Sequence, residues 1–425
     1  MAHRTLKNGY SGLVERLNRF PQGAPPSDTL YKILKLLLDE KEARLVSLLP
    51  IKPFTVKKAS QIWKMSPFEA QNRLEALASR ALLVDMEQNG ETLYVLPPPM
   101  AGFFEFSMMR TRQDVDQKLL AELFYQYLNV EEEFIKNLFA NGDTQLGRAF
   151  VHEPALPDDE ALYVLDYERA SEIIKTAKHR AVGICYCRHK MEHMNKACSA
   201  PMDICMTFGN TADSLARHGY AREIDTTECL DLLQQAYDHN LVQFGENVRE
   251  GVNFICNCCG CCCEAMLAHK RFAVMNPIHT TNFLPVVEES CNGCGRCQKS
   301  CPVDAIHIQE LGSGEDKPSK KAVIDEAICL GCGVCVRNCS NASIRLQARE
   351  KRVLTPLDST HRVVMMAIER GKLQELIFDN KVLWSHRALG TLLGAILNLQ
   401  PVHRTLASEQ IKSRYVEKLI AKAKS

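Results

Sequence analysis

The sequence predicts a multidomain α+β protein whose chemistry is confined to the middle of the chain. Three observations predict it. Apolar residues recur at helical spacing over the first hundred or so positions and run into an Asn-Gly turn; all 19 cysteines of the 425 residues lie between Cys185 and Cys339; and the spacing C-x2-C-x2-C-x3-C occurs twice, from Cys291 and from Cys329. Changes in pattern along the chain divide it into five segments. These are a helical and hairpin domain (1–112), a helical connector (113–160), a cysteine-rich α/β domain (161–288), a small domain holding the repeat (289–347) and a helical C-terminal region (348–425).

Composition narrows the class. With 46% hydrophobic residues the chain can build packed cores, and a formal charge of +1 gives it no overall attraction to nucleic acid or anionic membrane. The longest apolar run, Leu389 to Leu399, is too short to span a bilayer. The amphipathic start MAHRTLKNGYSGLVERLNRF has no apolar core before a cleavage site, so no secretory signal is expected and the location is expected to be a reducing cytoplasm. An odd number of thiols in so long a chain also argues against a disulfide framework.

The N-terminal elements follow from caps and periodicity. TLYKILKLLLDEKEARLVSLLP and TVKKASQIWKM read as helices, and SPFEAQNRLEALASRA as a third, opened by a capping box of Ser66 and Glu69 with Pro67 in its first turn. LLVDMEQNGETLYVL reads as a hairpin turning at Asn89-Gly90. Three helices and a two-stranded wing resemble the winged-helix pattern. Its third helix sets Glu69 and Glu75 against Arg73 and Arg80, which leaves no net positive face for phosphate, so protein docking is expected and DNA binding is not. Beyond the wing, PPPMAGFFEF leads to two or three helices ending near Phe150. The tail repeats the helical pattern in MMAIERGKLQELIF and HRALGTLLGAILNL, where Gly390 and Gly394 offer a small face for close packing.

In the middle, ALYVLDYERASEIIKTAKHRAVGI reads as strand, helix, strand, with Asp166 as helix cap and Ala170, Ile173, Ile174 and Ala177 on one apolar face. The strand ends at ICYCRHK, where Cys185 and Cys187 in extended chain would point to one side. Cys198 and Cys205, in a loop held by Pro201, are candidates to complete four ligands, with zinc or ordinary buried thiols as the rival reading. A helix expected over Thr226 to His239, capped by Asp225 with Glu228, holds Cys229 on its core face. It leads to FICNCCGCCC, with six cysteines in eight positions: Cys256, Cys258, Cys259, Cys261, Cys262 and Cys263. Neighbouring residues diverge, so these thiols cannot all face one cubane. The economical expectation is that the run folds against CYCRH and shares with it the ligation of one or two further iron–sulfur clusters.

In the repeat, three cysteines at three-residue intervals, with Gly293, Gly295, Gly331 and Gly333 letting the loops curl, can reach three corners of one cubane, and the fourth lies too far round. CNGCGRCQKSCPVDAI and CLGCGVCVRNCSNASI resemble the bacterial two-cluster [4Fe–4S] ferredoxins over about Glu289 to Leu346. The resemblance implies a ferredoxin-like fold in which the fourth cysteines are exchanged: Cys291, Cys294, Cys297 and Cys339 for one [4Fe–4S] cluster, Cys329, Cys332, Cys335 and Cys301 for the other. Ser340 stands where that family has the proline that Pro302 supplies in the first half. IHIQEL and KAVIDE read as strands around the loop GSGEDKPSK.

Two further resemblances bear on function. The CCG at Cys258 to Gly260 resembles the cysteine-rich domains of heterodisulfide reductase subunits, although the remainder of that motif is not reproduced. The whole constellation resembles a group of multi-cluster iron–sulfur proteins of anaerobes. No GxGxxG after a strand, GxxxxGK[ST], HExxH or GxSxG is present, so nicotinamide, nucleotide and hydrolase sites of the familiar kinds are not expected. The leading expectation is a cytoplasmic electron-transfer protein or subunit of an oxidoreductase complex, working with redox partner proteins. The alternatives are a reductase acting on a disulfide or thioester at the upstream cysteines and a redox-sensing regulator.

Overall fold

The computed structural model describes residues 9–139, 141–157, 164–311, 319–350, 352–353 and 355–379. The expected helix HRALGTLLGAILNL, with its apolar run, lies outside them. So do most of the loop GSGEDKPSK and the start of the strand expected at ALYVL.

The chain is a mixture of helices and small sheets. It begins with α1 (Gly9–Arg19), α2 (Asp28–Leu37) and α3 (Glu40–Ser47). The periodicity over 29–50 reads as one helix but forms two, because Asp39 starts a new one: its carboxylate accepts from the Glu42 N–H at 2.7 Å, and the Glu42 carboxylate accepts from the Asp39 N–H at 3.0 Å. A short β1 (Phe54–Thr55) leads into α4 (Val56–Trp63) and α5 (Pro67–Ala78). Ser66 caps α5 by accepting from the Glu69 N–H at 3.2 Å, but Glu69 turns outward to Arg73 at 3.0 Å, so only half of the expected box is made. The hairpin of β2 (Val84–Gln88) and β3 (Glu91–Val95) turns where expected, with Asn89 and Gly90 both at positive φ, and β1 pairs with β3, which becomes the central strand. Helical turns over Pro99–Phe106, α6 (Gln117–Tyr125) and α7 (Glu133–Phe139) complete this half around a core that includes Leu30, Ile33, Leu74, Phe104 and Phe124.

Next come β4 (Gly147–Ala149), α8 (Ala170–Thr176), β5 (Arg180–Ile184), α9 (Tyr186–His193), β6 (Asp203–Phe208), α10 (Gly209–Arg217), β7 (Arg222–Glu223), α11 (Thr226–Asp238), β8 (Val242–Glu246), β9 (Phe254–Cys258) and α12 (Glu264–Phe272). The strands form one antiparallel sheet in the order β4-β8-β9-β6-β5-β7. Asp166 does not cap α8. It lies in a 3₁₀ turn, and the residue before α8, Arg169, gives the helix no side-chain cap, while Val164 and Leu165 are in no strand. Ile173, Ile174, Cys229 and Leu233 pack α8 and α11 onto one face of the sheet through Val182, Met206 and Ile255. Alternation along the strands therefore sends Cys205 and Cys256 to the opposite face.

Two antiparallel ribbons follow. β10 (Phe283–Val287) leads to the short helix α13 (Arg296–Ser300), and β11 (Ile306–Leu311) pairs with β12 (Ser319–Ile324). The short helix α14 (Val334–Arg337) then leads to β13 (Ile344–Ala348), which pairs with β10. Gly295 at φ 76 and Gly333 at φ 85 open α13 and α14 in the left-handed conformation, which bends both cysteine loops alike at little steric cost. The chain ends in α15 (Ser359–Glu369), capped by Asp358, and α16 (Leu373–Ile377). Among the described residues no helix is long and apolar enough to cross a membrane.

Candidate metal centres

The two loops of the repeat bring their cysteines together in two groups. Cys291, Cys294, Cys297 and Cys339 line one small cavity. Cys301 lies instead within electrostatic reach of Cys329, Cys332 and Cys335. Backbone N–H groups point at the sulfurs in matched positions: Ala305 donates to Cys301 at 3.3 Å and Ser343 to Cys339 at 3.2 Å, while Ala322 donates to Cys291 and Gly331 to Cys329. Such bonds favour sulfur carrying negative charge. Burial works against it, pushing the Cys329 thiol up to about 11 and those of Cys332 and Cys335 up as well. Thiols so placed are protonated until a cation displaces the proton, and the all-sulfur donor sets with tight glycine turns fit [4Fe–4S] clusters.

The ten remaining candidate thiols separate into two sites. The sulfurs of Cys198, Cys259, Cys261 and Cys262 all lie within 4.8 Å of one another. Cys259 is drawn down to about 4 because Cys262 donates to it, whereas burial pushes Cys261 up to about 12. The second group closes on itself. Sulfur contacts run Cys185, Cys187, Cys263, Cys258, Cys256, Cys205 and back to Cys185, the Cys263–Cys258 separation being 3.1 Å. Acidities alternate round this ring. Contact with neighbouring sulfurs holds Cys185, Cys256 and Cys263 below the usual thiol value, the last two at about 5, and pushes Cys187, Cys205 and Cys258 up.

The fold explains the partition. Cys185 is the N-cap of α9 and Cys187 lies in its first turn, so the pair sits at a strand-to-helix corner and not in extended chain. Cys205 belongs to β6, in register with Gly183, and leaves Cys198 in the preceding loop. Cys256 and Cys258 are two apart on β9 and share one face, and Cys263 caps α12. The turn between them carries Cys259, Cys261 and Cys262 the other way. Cys229 belongs to neither group: its Sγ is 3.2 Å from Met206 Sδ in the core. His189 turns away, its Nδ1 lying 2.7 Å from the Met108 carbonyl oxygen.

Three charged residues that spacing did not single out hold this region. Arg188 is fully buried on α9 and donates to the carbonyls of Pro201 (2.8 Å) and Asn257 (2.7 Å), yet Nε has no partner and no carboxylate pairs with it among the described residues. The charges nearest to it are Cys185, Cys205, Cys259 and Cys258, members of both groups, and they hold its proton firmly. A buried guanidinium whose charged neighbours are thiols fits an anionic metal–thiolate centre on each side. Lys190, two positions further along α9, is fully buried and paired with Glu264; Asn129 bonds both, to Lys190 Nζ and Glu264 Oε2 at 2.8 Å each. That network ties α9 to α12 behind the ring. On the ring's open side lies an apolar cavity of about 340 Å³, lined by all six of its cysteines and by Glu105, whose carboxyl is pushed well up by burial and then by Cys256.

The two cysteine regions touch. A Cβ on Gly260 would lie 2.2 Å from the Pro302 carbonyl oxygen, so the turn between Cys259 and Cys261 packs directly on the residue after Cys301. Around this seam Lys270 pairs with Asp304 at 2.8 Å, and the His152 N–H donates to the Cys332 carbonyl at 2.8 Å.

Residues 290–343 match the protein family described as the 4Fe-4S dicluster domain. A comparison of the chain with curated proteins and one with solved structures each return no match. The family match and the cysteine-rich centres support an iron–sulfur protein with an electron-transfer role.

Proposed function

We propose that the chain relays low-potential electrons from redox partner proteins, through two [4Fe–4S] clusters in the 289–347 domain, to the upstream cysteine centres, as a cytoplasmic component of an oxidoreductase complex. The ligands would be Cys291, Cys294, Cys297 and Cys339 for one cluster and Cys329, Cys332, Cys335 and Cys301 for the other. Clusters of this kind store and pass single electrons at potentials set by charge, solvent exposure and hydrogen bonds to sulfur.

The observation that carries the reading is the contact of Gly260 with Pro302. It supports the reading because Gly260 lies between Cys259 and Cys261 and Pro302 follows Cys301, the proposed ligand of the second cluster, while Cys259 is bonded in sequence to Cys258 of the ring. The approach of the two backbones supports a short path between the two cysteine regions. Arg188, facing thiols of both upstream groups, would offset the charge that each added electron brings. The N-terminal helices and three-stranded sheet are read as a winged-helix-like docking module: the Glu69–Arg73 and Glu42–Arg80 pairs neutralise the face that DNA would require.

Anaerobic iron and acid-labile sulfide analysis, with EPR after stepwise reduction, tests this. About eight iron atoms from the 289–347 domain, with additional iron upstream, is the expected result. Zinc in place of iron, or iron that no low-potential reductant reduces, would overturn it. A second reading, a reductase acting at the upstream cysteines, is favoured by the cavity that opens onto the ring.

A further inference from the structure

We propose that the six-cysteine ring is a metal–sulfur centre separate from the four-cysteine site, and that the cavity beside it binds a compact, mostly apolar carbonyl compound next to the metal. This deepens the second reading above and rests on the chain being an iron–sulfur protein.

The separation follows from geometry. Cys198, Cys259, Cys261 and Cys262 already form a complete four-sulfur set. The ring closes through its own six contacts, and six thiolates exceed what one cubane takes. Adjacent residues divide between the two, Cys258 to the ring and Cys259 to the four-sulfur set, with buried Arg188 close to both. Soft metal suits such a donor set.

The ligand class follows from the walls. A cavity of about 340 Å³ falls within the usual range for small-molecule sites, roughly 300–1,000 Å³. Phe106, Met109, Val95, Leu96 and Met100 supply apolar surface. Against this background two lining residues carry buried donors with no partner: the Tyr186 hydroxyl, on a side chain 4% exposed, and Arg188 Nε. An unpaired buried hydroxyl is costly, and an acceptor oxygen on a ligand would satisfy it. Both residues line the cavity together with all six ring cysteines, so an oxygen bound in it lies beside the ring.

The experiment uses full-length protein reconstituted anaerobically with iron and sulfide. Cys258→Ala should remove the ring's iron and its EPR signal and leave the four-cysteine signal, and Cys261→Ala should do the converse. Loss of the same iron and the same signal in both variants would overturn the separation, as would no loss from Cys258→Ala. If either variant fails to fold, the wild type still decides: one upstream signal instead of two sinks the proposal. For the cavity the probe is 2-hexanone. It should change the shape of the ring signal alone, its carbonyl stretch should move to lower wavenumber on binding, and Tyr186→Phe should abolish that move with iron content unchanged. No change in the wild type, or the same stretch in Tyr186→Phe, would overturn the ligand assignment. Loss of iron from the 289–347 domain would count against the electron-relay reading and not against this one.

Discussion

Two regions of this chain crowd cysteines together, and they do so by opposite routes. In residues 289–347 eight thiols come from two copies of one loop, each curled by glycines such as Gly295 and Gly333, and a single exchange of fourth cysteines completes both groups. Upstream, ten thiols come from the β5–α9 corner, the loop and strand around β6, and the β9–α12 turn, and only the pairing of β5, β6 and β9 brings them into contact. In the first region local spacing sets the geometry. In the second the sheet sets it, and the intervals between cysteines carry little information about which thiols meet.

The largest expected effect tests the first half of that contrast. Cys301→Ala should remove roughly four iron atoms, those held by Cys329, Cys332 and Cys335, and leave the group around Cys291 near normal by EPR. Loss confined to the Cys291 group would show that the exchange of fourth cysteines does not occur.

The upstream region should depend more on what is not sulfur. Glu264→Ala leaves the fully buried Lys190 without its counter-charge, a change that costs roughly 3–5 kcal/mol when a buried pair is broken on one side. The denaturant midpoint for loss of upstream cluster absorbance should fall accordingly, while the double variant Lys190→Met with Glu264→Met should recover much of the loss. Equal midpoints for Glu264→Ala and wild type would mean that thiol ligation alone holds α9 against α12.

The same contrast explains what was legible in the sequence. Ser66, Asp225 and Asn89-Gly90 act within four residues of themselves, so caps and turn could be read directly, and both carry the bonds or dihedrals their positions imply. Asp39 is equally local, yet the apolar period that runs on through it masks its capping box with Glu42. The division of the upstream thiols depended on knowing that Cys205 is in a strand and Cys185 at a helix start. Arg188, Lys190 and Glu264 offered a faint signal: charged residues directly beside ligand-type cysteines, in CYCRHK and CCCEAM, where solvent-exposed charge would be unusual. Glu105 offered none, since it joins the site from a segment some eighty positions earlier.

The seam between the regions should be sensitive to acid. His152 is fully buried, and loss of solvation lowers its pKa from 6.5 to about 4, only partly opposed by the Leu241 carbonyl and reinforced by nearby Arg337. A folded-state value below the unfolded one means that the stability contribution is complete above pH 6.5 and is lost as pH falls toward 4. The loss from this residue is on the order of 3 kcal/mol. Because the backbone N–H of the same residue bonds the Cys332 carbonyl, displacement of His152 when its imidazole is protonated should expose the 289–347 domain first between pH 6 and 4, read by hydrogen exchange. His152→Gln should flatten that part of the pH profile, and an unchanged slope would remove His152 from the account.

The smallest expected effect is the most direct test of the contact between regions. Gly260 sits between two thiols of the four-cysteine site, and a Cβ there would lie 2.2 Å from the Pro302 carbonyl oxygen and 3.0 Å from its Cα. Backbone cannot yield as a flexible side chain would, so Gly260→Ala must push Pro302 away, at roughly the 1–3 kcal/mol typical of overpacking. Neither cluster loses a ligand, and iron and sulfide should therefore stay at wild-type levels. What should change is the spacing between Cys301 and Cys259, and with it the magnetic coupling between the second cluster and the upstream site in the reduced protein. Relaxation-enhancement EPR measures that coupling, and stopped-flow reduction measures the rate at which electrons arrive upstream. A weaker coupling and a slower upstream phase, with unchanged iron, would locate the electron path at this contact; unchanged coupling with an unchanged rate would mean that the two regions exchange electrons elsewhere or not at all.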